Sequence, residues 1–232
     1  MHRSVEARWV RPPRRKGAGV EMARSSGSSN DHPRMLSRFA SPQTASAFSA
    51  RTVVLVEGVS DQLALEALAE RRGLNLDAEG VSIVPMGGAT NIGSFLDRFG
   101  PQGLDVRLAG LCDTAEESDF RRGLERAGLG SNLTRAEMES LGFYVCVADL
   151  EDELIRSLGA AAVEQVVDAQ GDLGSFRTLQ KQPAWRGRTV EEQLRRFMGS
   201  GGSRKIRYAR LLVEALDLTR VPQPLDGVLA HI

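Results

Sequence analysis

Residues 52–68 read TVVLVEGVSDQLALEAL. Thr52–Val56 is an unbroken β-branched and aliphatic run, the pattern of a strand buried on both faces. Glu57-Gly58 follows directly, and Gly58 lets the backbone turn. Ser60 is placed to cap a helix, with Asp61 in its first turn where a carboxylate suits the helix dipole. Leu63, Ala64, Ala67 and Leu68 then form one apolar stripe at helical spacing, and Gly73 falls where a C′ residue ends a helix. A buried strand that passes through an acid into a helix is the first half of a βαβ unit.

The pattern repeats outward from there. Residues 81–84 (VSIV), 106–112 (VRLAGLC) and 143–147 (FYVCV) are further apolar runs of strand length. Between them lie a short helix at about 91–99, ended by Gly100-Pro101, and a helix at 119–127 with Gly128 past its end. A third short helix opens on Thr134 and Glu137, which have capping-box spacing. The β-α-β-α-β-α-β order over 52–148 predicts an α/β fold: a parallel, Rossmann-like sheet of about four strands flanked by helices, with right-handed crossovers. Beyond Asp149 the sequence turns helical, with helices expected near 151–158, 160–169, 190–198 (Thr189 and Glu192 pair as a capping box) and 204–216. The expected organisation is a basic, disordered segment over 1–50, an α/β core over 51–150, and a helical C-terminal extension over 151–232. No internal repeat is present.

Composition narrows the classes. The chain has 232 residues, with 30 Lys+Arg against 30 Asp+Glu, and is 41% hydrophobic and 5% aromatic. That suits a soluble globular domain, and so few aromatics disfavour a base-stacking platform of the kind that binds single strands. Two cysteines exclude a disulfide scaffold and a four-cysteine zinc site. Cys112 and Cys146 sit in apolar strands and read as core residues, and no histidine has metal-ligand spacing. With no apolar run of membrane-spanning length and no secretory h-region, a cytoplasmic setting is the expectation. Net neutrality is a cancellation: residues 1–50 hold nine basic and three acidic groups, and residues 51–232 hold 21 basic and 27 acidic groups. The basic segment reads as a solvated tail, as an upstream extension with the start at Met22 or Met35, or as a DNA-affine arm.

In open α/β sheets, ligands bind at the carboxyl ends of the strands. Glu57 follows the first strand there, with Asp61 one helical turn on. Asp113 follows the third strand, with Glu116 and Glu117 beyond it, and Asp149, Glu151, Asp152 and Glu153 follow the fourth. If the first and third strands are neighbours, Glu57 and Asp113 converge. Clustered carboxylates repel unless a cation sits among them, and an oxygen-only donor set selects hard ions such as Mg²⁺ or Mn²⁺.

These residues carry a resemblance. VVLVEGVSDQLALEAL (Val53–Leu68), the Gly87-Gly88 loop and LAGLCD (Leu108–Asp113) resemble a Toprim domain, and more narrowly the Toprim half of the overcoming-lysogenization-defect (OLD) family nucleases. Stand-alone proteins of actinobacterial type look similar over most of residues 51–230. The resemblance implies phosphodiester chemistry: Glu57 in acid–base work or metal binding, Asp61 and Asp113 as Mg²⁺ or Mn²⁺ ligands, and DNA or RNA as substrate. Toprim domains usually carry Asp-x-Asp after the third strand. Here Asp113-Thr114-Ala115 lacks the second acid, for which Glu116 is the nearest substitute, with Glu151 supplying a second site. The resemblance also places a C-terminal lysine near the metals, and Lys205 is the match. Lys205 opens a helix whose unpaired N–H groups suit phosphate, and Arg204, Arg207 and Arg210 add charge.

Arg186 and Arg188, with Arg195 and Arg196, form a second basic patch suited to a nucleic-acid backbone, or simply an exposed helix surface. Trp185, directly before them, reads as a packing residue. OLD nucleases resemble an ATPase fused to Toprim. This sequence has no G-x-x-x-x-G-K-[ST], so the resemblance implies a separate ATPase subunit as a partner. Three functions follow for test: a metal-dependent DNA nickase or endonuclease, a catalytically degenerate Toprim module that binds nucleic acid or a partner ATPase, and a receiver-like domain phosphorylated at Asp113.

Overall fold

A computed structural model describes residues 47–232; the segment expected over 1–50 lies, except for its last four residues, outside the described residues. Four parallel strands form one sheet: β1 (Thr52–Val56), β2 (Val81–Pro85), β3 (Arg107–Cys112) and β4 (Phe143–Val145), in the spatial order β2-β1-β3-β4. The expected α/β architecture is therefore present. β1 pairs β3 with Val56 beside Leu111, and β3 pairs β4 with Cys112 beside Val145. The chain steps from β1 out to β2, then returns to the other side of β1 for β3. The gap between β1 and β3 is thus the topological switch point, where crossovers diverge and leave a crevice at the strand ends.

The helices are α1 (Val59–Arg71), α2 (Ile92–Phe99), α3 (Glu117–Arg126), α4 (Arg135–Ser140), α5 (Leu150–Leu158), α6 (Ala160–Ala169), α7 (Leu173–Lys181), α8 (Val190–Met198), α9 (Gly202–Ala215) and α10 (Gln223–His231). Alternate β1 residues enter two different cores, as the period of two in a strand requires. Val53 and Leu55 pack with Phe95, Phe99, Phe120 and Met138 from α2, α3 and α4. Val54 and Val56 pack with Leu65 and Leu68 of α1 and with Leu154, Phe176, Phe197, Tyr208 and Leu225 from the C-terminal helices. One face of the sheet is therefore completed only by residues after Asp149. α9 lies along α1, and Arg71 donates to the carbonyl oxygens of Val213 and Leu216 at 2.7 Å each. Arg71 so caps the end of α9, where the Val213 oxygen also accepts the Leu216 amide at 3.1 Å.

Both capping boxes are formed, at Thr134–Glu137 and Thr189–Glu192. The start of α1 differs from expectation. Gly58, not Ser60, is the N-cap, in ordinary extended backbone, and the Asp61 carboxylate accepts from the Gly58 amide at 2.8 Å. Two helices lay outside the sequence reading, α7 and α10. Gly174 weakens the local signal in α7. α10 contains Pro224, harmless in a first turn where no N–H is needed. It also contains Gly227, where an added Cβ would lie 2.2 Å from the Tyr144 ring. Close docking on β4 demands a residue of poor helix propensity there, and packing prevails over propensity. Among the described residues, no helix is long and apolar enough to cross a membrane.

Gly110, in the middle of β3, marks the tightest point of this sheet. A Cβ there would meet the Leu55 carbonyl oxygen at 2.9 Å and Phe143 Cδ1 at 2.7 Å. In a freely packed strand Gly→Ala gains roughly 0.5–1 kcal/mol from backbone entropy. Here Gly110→Ala is expected to lose about 1–3 kcal/mol through overpacking, read as a lower urea midpoint with an unchanged slope. A midpoint equal to or above wild type would contradict this packing of β1, β3 and Phe143.

Candidate metal centre

The β1–β3 pairing carries Glu57 and Asp113 to one end of the sheet. Asp113 ends β3 and caps a single 3₁₀ turn, Thr114–Glu116, which leads into α3. Carboxylate oxygens of Glu57, Asp113 and Glu116 all lie within 4.8 Å of one another. The Glu57 carbonyl oxygen accepts the amides of Gly87 and Gly88, both at 3.1 Å, so the Gly-Gly loop after β2 is fixed to the same crevice. Gly88 has φ 121°, a conformation that other residues adopt only under strain.

Asp61 stands apart from this close group. It is 7% exposed and tied to the start of α1. Burial pushes it up to about 6, against the Gly58 amide and Lys205, which favour the anion, while Glu151 and Glu57 repel it. Asp113 is pushed up to about 8, by burial first and then by repulsion from Asp61, with Lys205 opposing. Burial and the neighbouring Glu57 raise Glu116. Burial raises Glu151 against the pull of Lys205.

Lys205, in the first turn of α9, reaches into this group, with Nζ 3.4 Å from Glu151 Oε2. Its own burial works against the ammonium, but Glu151, Asp61 and Asp113 outweigh that and raise its pKa. Glu57, Asp61, Asp113, Glu116, Glu151 and Lys205 thus form one electrostatic unit drawn from α1, α5, α9 and the ends of β1 and β3. The residues fit a hard divalent cation. All donors are carboxylate oxygens, and Glu116 Oε2 and Glu151 Oε1 are buried without a hydrogen-bond partner. Buried carboxylate oxygens in that state call for a proton or a cation. Cys112 and Cys146 are buried free thiols that burial pushes up, so they stay protonated and apolar beside the cluster.

The arginines proposed for the nucleic-acid backbone divide into two groups. Arg204 lies over the Phe197 ring at 4.2 Å and donates to Ser200 Oγ at 2.7 Å, bracing the loop before α9. Arg207 is paired with Asp172 and stacked on Tyr208. Both therefore have structural partners. Arg186 contacts only the Lys181 carbonyl at 3.2 Å, and Arg188 makes an exposed pair with Glu192 at 3.4 Å. Thr114 carries no local signal of a role. Its hydroxyl lies 2.6 Å from the Cys146 carbonyl oxygen and 2.8 Å from that of Val147, and its amide donates to the Ala148 carbonyl at 3.2 Å. That residue stitches the turn bearing Asp113 and Glu116 to the segment after β4. The partners lie more than thirty residues away, so no local pattern could have revealed them.

A four-stranded parallel sheet with one acid after β1 and another after β3, meeting at the switch point, defines a Toprim-type α/β domain. Residues 48–114 match the family model described as "Overcoming lysogenization defect protein-like, TOPRIM domain". The C-terminal region of the Xanthomonas campestris pv. campestris OLD protein is similar in fold, with TM-score 0.62 and 24% identity, covering 81% of this chain and 94% of that one. The C-terminal region of the Burkholderia pseudomallei OLD protein aligns with TM-score 0.60 and 21% identity, over 78% of this chain and 96% of that one. At these identities the likeness is one of fold, and it extends well past residue 114 into the C-terminal helices. No curated protein matches the chain.

The raised carboxylates set a pH dependence with a definite sign. A folded-state pKa above the unfolded value means the folded protein holds extra protons. Stability is then fully present below about pH 4 and is lost as pH rises through the folded pKa values, here about 6 for Asp61 and about 8 for Asp113. In chelator, the melting temperature is expected to fall from pH 6 to pH 8.5 more steeply for wild type than for Asp113→Asn. Added Mg²⁺ or Mn²⁺ should restore wild type more at pH 8.5 than at pH 6. Parallel pH profiles for the two proteins would show that Asp113 does not titrate in this way.

Proposed function

We propose that this protein cleaves phosphodiester bonds in DNA with a divalent metal ion, Mg²⁺ or Mn²⁺, as a nickase or endonuclease. The observation that carries the reading is the meeting of Glu57, Asp113 and Glu116 within 4.8 Å at the switch point, with Lys205 beside them. A cation at this cluster supplies charge stabilisation to phosphate oxygens and a nucleophilic water at neutral pH. Glu57, Asp113 and Glu116 would hold it, with Glu151 and Asp61 as the donors of a second, weaker position.

The chain's own groups account for the rest. Asp61 fixes the first turn of α1 through the Gly58 amide and so sets the direction in which Glu57 leaves β1. Besides holding the ion, Glu57 would take the proton released by the attacking water. Lys205 is the one ammonium in the unit, and it can turn from Glu151 toward the charge that develops on the transferring phosphate. The exposed Arg186 and Arg188 would meet the backbone at a distance from the cluster.

Ala115 favours the second reading, a Toprim module that binds nucleic acid or a partner ATPase without cleaving. The position of Glu116 argues for catalysis, because it returns a third carboxylate to the group.

Supercoiled plasmid incubated with the purified protein and Mg²⁺ or Mn²⁺ separates the readings. Metal-dependent conversion to open circle is expected, reduced at least 100-fold by Glu57→Gln and by about 10²–10³ in Lys205→Ala. Equal trace nicking by wild type and Glu57→Gln would remove catalysis. Salt-sensitive DNA binding that needs no metal would then identify the binding module.

A further inference from the structure

Next to the carboxylate unit lies an open cleft of about 430 Å³, walled by Trp185, by Arg188, Arg195 and Arg196, by the acids Asp149 and Glu192, and by Gly199. Small-ligand sites occupy roughly 300–1,000 Å³. The cleft adjoins the candidate centre. Asp149 raises the pKa of Asp113 and Glu151, and its side chain receives Arg195 Nε at 2.7 Å. Gly199 begins the loop that leads to Lys205.

Trp185 is packed only in part against the core. Its main chain is held firmly. Gln193, 5% exposed, donates from Nε2 to the Trp185 carbonyl at 2.7 Å and to that of Arg188 at 3.2 Å, and its own oxygen accepts from Gln180 at 2.7 Å. A buried amide therefore positions a short turn that presents one indole between arginines. Arg196 lies 5.9 Å from the Trp185 ring, the outer limit of a cation–π contact, and makes no salt bridge among the described residues. Among the described residues the Arg188 side chain has only its exposed pair with Glu192, which a phosphate can replace at little expense. An indole face with two available guanidinium groups matches the chemistry of a nucleotide, the base stacked on the ring and the phosphate met by arginine.

We propose that this cleft binds one unstacked nucleotide of the substrate strand, its base on Trp185 and its phosphate against Arg188 and Arg196, next to the phosphodiester presented to the carboxylates. Stacking on Trp185 needs a base free of the duplex, so the occupant is a single-stranded or locally melted segment. This inference rests on the reading of the protein as a nucleic-acid enzyme, and its test is independent of cleavage.

The chain has two tryptophans, Trp9 and Trp185, so a Trp9→Phe background isolates the second. In EDTA, with no cleavage possible, titration with oligo(dT) is expected to quench Trp185 fluorescence. Arg196→Gln, an exposed change that spares the fold, should weaken binding severalfold. Trp185→Leu should weaken it about tenfold or more by fluorescence anisotropy of a labelled oligonucleotide, while affinity for a blunt duplex stays unchanged. Quenching by dTMP only at far higher concentration than by the oligomer supports a strand; equal quenching by both at the same concentration overturns it in favour of a free-nucleotide site. Unquenched fluorescence together with unaltered oligonucleotide affinity in both variants would overturn the cleft assignment. Plasmid nicking by the same preparations reports separately on the catalytic reading.

Discussion

The parallel register of β1 with β3 governs this molecule. With Val56 opposite Leu111, the residue that leaves β1 and the one that leaves β3 are acids at the same end of the same pair of strands. Two unit charges of like sign 4.8 Å apart repel by roughly 3 kcal/mol at an effective dielectric of about 20. A third carboxylate multiplies the repulsion. The structure carries three answers to it. Protons stay on at higher pH than usual: burial first, with repulsion from Asp61 and the other neighbouring carboxylates added to it, pushes Asp113 up to about 8. Lys205 provides one fixed positive charge. Oxygen donors that lack partners leave room for a mobile one. A fold organised only for stability would place apolar residues here, so the clustered charge marks this strand edge as the candidate functional site.

Lys205 depends on a second constraint, the packing of α9 along α1. α1 carries Asp61 at its start, and α9 brings Lys205 to the same end because Tyr208, Ala209, Leu212 and Val213 are buried in the core shared with α1. Surface ion pairs such as Arg210 with Glu70 and Glu214 accompany this contact, but exposed pairs contribute only about 0–1 kcal/mol each. The apolar contact therefore holds the helices together. The residues after Asp149 thus close one face of the sheet and also deliver Glu151 and Lys205 to its end.

Most of this was legible in the chain's own pattern. Continuous apolar runs gave all four strands, and capping boxes at Thr134 and Thr189 located two helix starts. Acids directly after apolar strands singled out Glu57 and Asp113, because strand ends are readable even when neighbours are not. Strand order was not readable, and it alone decides that these two acids meet. α7 escaped notice because Gly174 dilutes its local helical signal, and α10 because Gly227 has a purpose only in tertiary context, against Tyr144. Arg204 and Arg207 looked like phosphate ligands from charge alone. The Phe197 ring under Arg204 and the Asp172 carboxylate paired with Arg207 lie on other elements, which charge alone does not reveal. Trp185 looked like a packing residue. It is that in part, and only the surrounding arginines show that its remaining face borders a cleft.

The departure at Ala115 acquires a physical reason from the turn after β3. An Asp-x-Asp pair places its two acids two residues apart, which suits extended backbone, where such residues share a face. Here residues 114–116 form a 3₁₀ turn, and in that geometry positions three apart eclipse one another. The residue that shares a side with Asp113 is therefore Glu116, and position 115 turns away. The Thr114 hydroxyl, against the Cys146 and Val147 carbonyls, holds the turn in place. An acid at 115 would fall outside the group unless the turn unwound, whereas Glu116 enters it with the turn intact. In this chain Glu116 thus stands beside Glu57 and Asp113 as the third carboxylate at the switch point, one residue beyond the position an Asp-x-Asp pair would use.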